Sequence, residues 1–178
     1  MVRTRVGYCG GTTADPTYHA LGDHTEAFEL DFDPEVVSYD DLLERFWSSR
    51  DHSRDAFSRQ YRAAVFTHDD EQRVLAQRAG EAWAGAHGQA VTTAVEPLTR
   101  FYRAEDYHQK YRLRREGALC AELVERYGSD EAMVNATASA RINGLLGGYV
   151  RRGELDALLP LLDLSASGRK RLGARVHV

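Results

Sequence analysis

The sequence predicts an α+β fold that passes into an all-helical stretch. Three observations carry this. Apolar and polar residues alternate over residues 2–8 and 24–32, the period-2 signature of half-buried strands. Apolar residues return every three or four positions over residues 38–49 and 69–86, the period of amphipathic helices. From Glu116 onward only the helical period is left. The order β–β–α–β–α–β followed by helices suits strands and helices layered about a shared core.

In the first strand Val2, Thr4, Val6 and Tyr8 share one face, and Arg3, Arg5 and Gly7 the other. Gly10-Gly11 lets the chain turn through positive φ. Asp15-Pro16 sets a second turn, in which the proline pushes Asp15 towards an extended conformation. Gly22-Asp23 opens the strand that starts at His24. There Glu26, Phe28, Leu30 and Phe32 share one face, and Ala27, Glu29 and Asp31 the other. Asp33-Pro34 ends it. Ser38 and Asp41 have the spacing of a capping box, and Tyr39, Leu42, Leu43, Phe46 and Trp47 form the stripe of the helix behind it. Residues 50–59, RDHSRDAFSR, are polar and aperiodic, hence a loop. Gln60 to Thr67 reads as a third strand with Tyr61, Ala63 and Val65 on one face. The second helix starts acidic, at Asp69, Asp70 and Glu71, and stops at His87-Gly88. Ala90 to Val95 is a fourth strand closed by Pro97, and residues 101–111 form an irregular return.

The helical stretch begins with a stripe of Leu119, Leu123, Val124 and Tyr127, stopped by Gly128. Ser129 caps a helix running through Met133, Val134, Ile142 and Leu145 to Gly147-Gly148. Shorter helices cover 154–162 and 165–172. We expect an α+β part over residues 1–115 and a helical part over 116–178, its stripes packed on the sandwich because an apolar stripe must be covered.

A chain of 178 residues, 43% hydrophobic and 28% charged, suits one globular domain with an appendage. A net charge of −4 and a pI near 6.0 disfavour a nucleic-acid partner. No run is long and apolar enough for a membrane span, and no apolar signal core follows the first five residues. Two cysteines, Cys9 and Cys120, are too few for a disulfide scaffold, which suggests a reducing cytoplasm. The seven histidines show no tight ligand spacing for a metal, and Cys9-Gly10-Gly11 lacks the lysine of a phosphate loop.

Among residues with chemistry, Glu26 is the most informative. On an apolar face its charged form is disfavoured, so its pKa should rise; the structural alternative is a core glutamate paired with an arginine such as Arg62. Tyr8 and Tyr61 lie on the apolar faces of their strands, each burying a ring and placing one polar tip. Cys9 falls on the side of Arg3 and Arg5, which could lower its pKa, but that side faces away from Tyr8 and Glu26. His24, beside the acid, either shapes the loop or is a surface histidine. Cys120 sits one step from Leu119, Leu123 and Val124, which favours a small buried residue over a resolving thiol.

Five ordered blocks, TRVGYCGG, DPTYHALGDHTEAFELDFDP, SYDDLLERFW, RQYRAAVF and FYRAEDYHQKY, resemble the peptide methionine sulfoxide reductase A family over residues 2–111. The resemblance implies a ferredoxin-like α/β sandwich whose first strand and helix would fall before residue 1. The family's Gly-Cys-Phe-Trp motif, with its nucleophilic cysteine, would fall there too. The face carrying Val2, Val6, Phe28 and Val65 should then be partly uncovered.

The implied activity is that of a peptide-methionine (S)-S-oxide reductase acting on methionine sulfoxide, free or in proteins. Thioredoxin or another dithiol would supply electrons, and no metal or organic cofactor would be needed. Such a reaction needs a thiolate to attack sulfur, a hydrogen-bond donor for the departing oxygen, and a second thiol to resolve the sulfenic acid. The resemblance maps Glu26, Tyr8 and Tyr61 onto the oxygen-binding residues, with Glu26 a neutral acid. It sets Asp55 near a site-ordering aspartate, and leaves Cys9 as a substitute nucleophile. The alternative is a catalytically inactive homologue that binds oxidised methionine or serves as a structural subunit.

Overall fold

The computed structural model describes residues 2–149 and 153–176. The chain divides into two compact units. One comprises Met1–Arg5, Glu29–Asp31 and Glu105–Val178; the other comprises Val6–Phe28 and Phe32–Ala104. The fold is mixed α/β. Strands β1 (Arg3–Cys9) and β2 (Thr25–Asp31) come first, then α1 (Tyr39–Trp47), β3 (Ala64–Thr67), α2 (Asp70–His87), β4 (Ala94–Pro97) and β5 (Tyr102–Arg103). Helices α3 (Tyr111–Arg114), α4 (Gly117–Tyr127), α5 (Asp130–Asn135), α6 (Thr137–Leu145), α7 (Leu155–Leu158) and α8 (Ala166–Arg175) follow.

The strands form two small sheets, ordered β2-β1-β5 and β3-β4. β5 runs antiparallel to β1, with Tyr8 opposite Tyr102 and Gly7 opposite Arg103. This two-residue strand lies where we expected an irregular return. Gly7 explains how it fits: a Cβ there would stand 2.3 Å from the Tyr102 carbonyl oxygen and 2.4 Å from the Phe101 ring. A residue chosen for its missing side chain leaves no periodic signal of its partner.

Three further expectations are corrected. The third strand is shorter than Gln60 to Thr67, because Arg59–Tyr61 form a single 3-10 turn. There the Tyr61 N–H donates to the Ser58 carbonyl, and the Arg62 N–H to the Arg59 carbonyl. Tyr61 therefore lies on a turn and not on a strand face. The fourth strand starts at Ala94 and not at Ala90, because Thr92 is committed to the preceding loop: its N–H donates to the His52 carbonyl at 2.9 Å, and its hydroxyl donates to the Arg54 carbonyl at 3.0 Å. Asp15 has φ +47° and not an extended conformation; aspartate is among the few residues that tolerate this left-handed region.

The alternation of β2 also resolves differently from the expectation. The Glu26–Phe28 face is exposed, Phe28 to 65%. The acids on the other face pair across to the neighbouring strand, Asp31 with Arg3 and Glu29 with Arg5. Opposite charges on adjacent strands take the place of apolar burial there.

In the unit containing Val6–Phe28, α1 packs on α2 through Leu43, Trp47 and Ala76, with Val65 and Val95 of the two-stranded sheet against them. The capping box is formed as expected: the Ser38 hydroxyl accepts from the Asp41 N–H at 3.1 Å, and the Asp41 carboxylate accepts from the Ser38 N–H at 2.9 Å. Asp69 caps α2, and Gly88 ends it at φ +62°. The polar loop 50–59 has a buried anchor, His52, whose ring lies among Phe46, Trp47 and Trp83 and reaches Thr93 Oγ1 at 2.7 Å.

In the other unit the helical stripes meet one another. Leu113, Leu119, Leu123, Met133, Ile142 and Leu172 are fully or nearly fully buried in one cluster. These stripes build a core of their own. The helix expected from Ser129 to Gly147 is broken at Ala136, whose ψ of 140° is extended. Asn135 and Thr137 flank the break, and both residue types favour helix ends over helix interiors. Arg114 grips Asp130 through two bonds of 2.8 and 2.6 Å, tying α3 to the start of α5.

Candidate active site

The loop between β1 and β2 is organised by Asp23. Its carboxylate accepts from the Thr12 N–H at 2.8 Å, the Thr13 N–H at 3.0 Å, and both threonine hydroxyls at 2.9 Å. Donors on every side favour the charged form, and the Thr13 and Thr12 backbone groups above all hold the carboxyl well below the usual carboxylate range. Gly11 sits in the same nest: a Cβ there would lie 2.6 Å from the Asp23 carboxylate.

His24 is buried to 1% exposure, which corrects the surface alternative. Its Nδ1 accepts from the Gly11 N–H at 3.2 Å, and its Nε2–H donates to the Thr13 carbonyl at 2.8 Å. Those two bonds select the neutral ring with its proton on Nε2. The ring packs edge-on against Tyr102, the partner of Tyr8.

The turn Arg59–Tyr61 meets this loop. Arg59 donates to the Asp23 carbonyl at 2.6 Å and to the Gly10 carbonyl at 2.7 Å. The Thr25 hydroxyl in turn donates to the Arg59 carbonyl at 3.1 Å. Arg62 donates to Thr25 Oγ1 at 2.9 Å and forks onto Glu96 at 2.5 and 2.7 Å. The arginine proposed as a partner for Glu26 is thus committed to Glu96, whose carboxyl it holds below the usual range.

Glu26 itself is solvent-exposed, which corrects the expectation of a buried acid on an apolar face. Its Oε1 accepts from the Gln60 side-chain amide at 2.7 Å. The same nitrogen donates to Tyr61 Oη at 3.1 Å. Glu26 and Tyr61 are therefore brought together, on either side of one amide. Partial desolvation, the Glu26 charge and a hydrogen bond with Tyr18 raise the Tyr61 phenol above its ordinary value, so it keeps its proton. Phe57, 89% exposed, stacks on the Tyr61 ring at 5.5 Å. Tyr8 is 2% exposed and packs with Leu21 and Ala104. Asp55 is exposed and makes no hydrogen bond or ion pair with the described residues.

Cys9 is 1% exposed. Burial pushes its thiol up to about 12, with Arg62 opposing and Glu96 reinforcing the shift. Arg3 and Arg5, expected to activate it, are engaged with Asp31 and Glu29. Cys120 is half-buried and raised mainly by burial. Neither thiol is poised as a thiolate near neutrality. No group of three or more His, Cys, Asp or Glu side chains suited to a metal occurs among the described residues.

Sequence reasoning missed Asp23, Arg59, Gln60 and Tyr18. All four lie inside or beside the quoted blocks, and Gln60 directly precedes Tyr61. The chemical capacity of the arrangement is a protonated phenol and a carboxyl at one exposed spot, able to hold a polar oxygen, beside an exposed aromatic ring.

The family model for peptide methionine sulfoxide reductase matches residues 1–139. The chain is 36% identical over 172 residues to the peptide methionine sulfoxide reductase of Drosophila melanogaster, covering 96% of this chain and 69% of that one. It is 38% identical over 151 residues to peptide methionine sulfoxide reductase A5 of Arabidopsis thaliana, covering 81% of this chain and 58% of the relative. Among solved structures, the reduced form of Mxr1 from Saccharomyces cerevisiae superposes with a TM-score of 0.56 at 25% identity, over 64% of this chain and 71% of that one. The chain belongs to the peptide methionine sulfoxide reductase family, and with it to the oxidoreductases that act on methionine sulfoxide. The Drosophila match takes in most of the helical stretch after residue 115, so that stretch is shared with at least one relative.

Proposed function

We propose that this protein acts on the S epimer of methionine sulfoxide, free or in proteins, and that Glu26, Tyr61 and Tyr8 handle its oxygen. The observation that carries the reading is the pairing of Glu26 and Tyr61 through the Gln60 amide, in a chain of this family. Tyr8 takes the same role from its place in the GYCGG block, and His24 shapes the loop beside it. In the overall reaction two thiols give up two electrons and two protons. The sulfur–oxygen bond breaks, the sulfide is released, and the oxygen passes through a sulfenic acid and leaves as water when the disulfide forms. Glu26 in its neutral form and the Tyr61 hydroxyl would donate hydrogen bonds to the oxygen as that bond breaks.

The reductant is a dithiol such as thioredoxin, the setting is cytoplasmic, and no prosthetic group is required; the family resemblance and cysteine usage support this much. The resemblance likewise supports a ferredoxin-like sandwich, with an α+β part over residues 1–115 and a helical part over residues 116–178. The buried thiol of Cys9 argues against its role as the attacking sulfur.

The test is a titration of the protein with methionine-S-sulfoxide and with the R epimer, followed by NMR signals of Gln60 and Tyr61. The S epimer is expected to shift them and the R epimer to bind more weakly. Glu26→Ala and Tyr61→Phe should each weaken S-epimer binding about tenfold, the loss of one to two hydrogen bonds. No response to the S epimer would overturn the proposal.

A further inference from the structure

We propose that Gln60 is a positioning residue that sets the direction in which Tyr61 presents its proton and holds Glu26 beside it. This deepens the reading of the oxygen-handling site and rests on it.

A primary amide carries two N–H donors on nitrogen and a carbonyl acceptor on the opposite side. Gln60 Nε2 lies 2.7 Å from Glu26 Oε1 and 3.1 Å from Tyr61 Oη, so one nitrogen spends both its donors on the two groups assigned to the oxygen. With its nitrogen turned to both groups the amide accepts from neither, so a proton on the Glu26 carboxyl is left for an incoming oxygen.

The consequence for Tyr61 is directional. A phenol oxygen that accepts from Gln60 must send its own proton elsewhere. In this structure the phenol also shares a hydrogen bond with Tyr18. A sulfoxide oxygen arriving beside Glu26 would be the acceptor for that proton. Without the Gln60 donor, the Tyr61 hydroxyl can turn to Glu26 itself, and the proton is then spent inside the site. Glu26 carries no other hydrogen bond to the described residues, so Gln60 is its single tether. The titratable group that interacts with it is Tyr61, which in turn interacts with Tyr18. Arg59 is turned to the Gly10 and Asp23 carbonyls, and Arg62 to Glu96.

The experiment uses two substitutions and two readouts. The carbon-13 chemical shift of the Glu26 carboxyl, read at a fixed pH of 8, reports the tether without reference to substrate. Losing the Gln60 donor should move that signal in Gln60→Ala. Methionine-S-sulfoxide is the binding probe. Gln60→Ala should weaken it about tenfold at every pH. Gln60→Glu should lose it at pH 8, where two carboxylates repel, and regain it towards pH 5, where the new carboxyl can donate. An unchanged Glu26 carboxyl signal in Gln60→Ala overturns the inference even if the probe binds. Wild-type affinity in Gln60→Ala overturns it while leaving the function standing. Failure of the wild-type protein to bind the probe overturns the function and this role together.

Discussion

Arg62 and Glu96 form a two-point ion pair, Nη1 to Oε1 at 2.5 Å and Nη2 to Oε2 at 2.7 Å, with side chains 18% and 34% exposed. The pair lies between a solvated surface bridge and a buried one, and the same guanidinium reaches Thr25, the neighbour of Glu26. Glu96→Gln should therefore cost about 1–2 kcal/mol, read from the midpoint of chemical denaturation. The pH dependence has a definite sign. The Glu96 carboxyl is depressed chiefly by its bonds with Arg62. Its contribution is complete above the ordinary carboxylate range and is lost as pH falls through the lowered folded value. The wild-type advantage over Glu96→Gln should be flat from pH 6 to 8 and shrink below about pH 4.

Cys9 should be chemically silent in the folded protein. Its 1% exposure and a thiol pushed up to about 12 leave almost no thiolate and no access. Iodoacetamide at pH 8 should alkylate Cys120 and spare Cys9 until denaturant is added, as peptide mass mapping can read. Any dithiothreitol-driven reduction of methionine sulfoxide should be unchanged in Cys9→Ser.

Asp23 should be the loop's principal fastening. Asp23→Ala removes the acceptor for two backbone N–H groups and two hydroxyls at once. Amide hydrogen exchange at Thr12 and Thr13 should quicken at least tenfold, with little change in the helical unit. Because the carboxyl is held low, protection at these amides should be level from pH 7 to about pH 4 and fall only on further acidification.

His24 should matter for stability more than its surface-like sequence context suggests. His24→Ala leaves the Gly11 N–H and the Thr13 carbonyl without their partner and opens a space against Tyr102. A loss of about 2–3 kcal/mol is expected from the unpaired groups and the cavity, measurable by thermal or chemical denaturation.

The sequence made the regular elements plain wherever one period ran uninterrupted. The Ser38–Asp41 cap, the Gly88 and Gly128 stops and both opening strands were legible because each rests on local chemistry. What escaped depended on partners far along the chain. Tyr61 looked like a strand residue because Tyr61, Ala63 and Val65 alternate, and no local signal announced the turn that Arg59 anchors to Gly10 and Asp23. Glu26 looked buried because its neighbours on the face are apolar, yet Phe28 on that face is 65% exposed. Of the site, the block resemblance singled out Glu26 and Tyr61. The amide joining them was invisible, since a glutamine carries no periodicity and its role is set by geometry alone.

The proposed function requires Glu26 and Tyr61 to grasp a single oxygen atom. A crystal structure of the protein soaked with methionine-S-sulfoxide tests this most directly. We predict the sulfoxide oxygen within about 2.6–3.2 Å of both the Glu26 carboxyl and Tyr61 Oη, with the Gln60 amide still donating to both residues. A sulfoxide bound elsewhere, or one whose oxygen points to solvent with Glu26 and Tyr61 untouched, would contradict it.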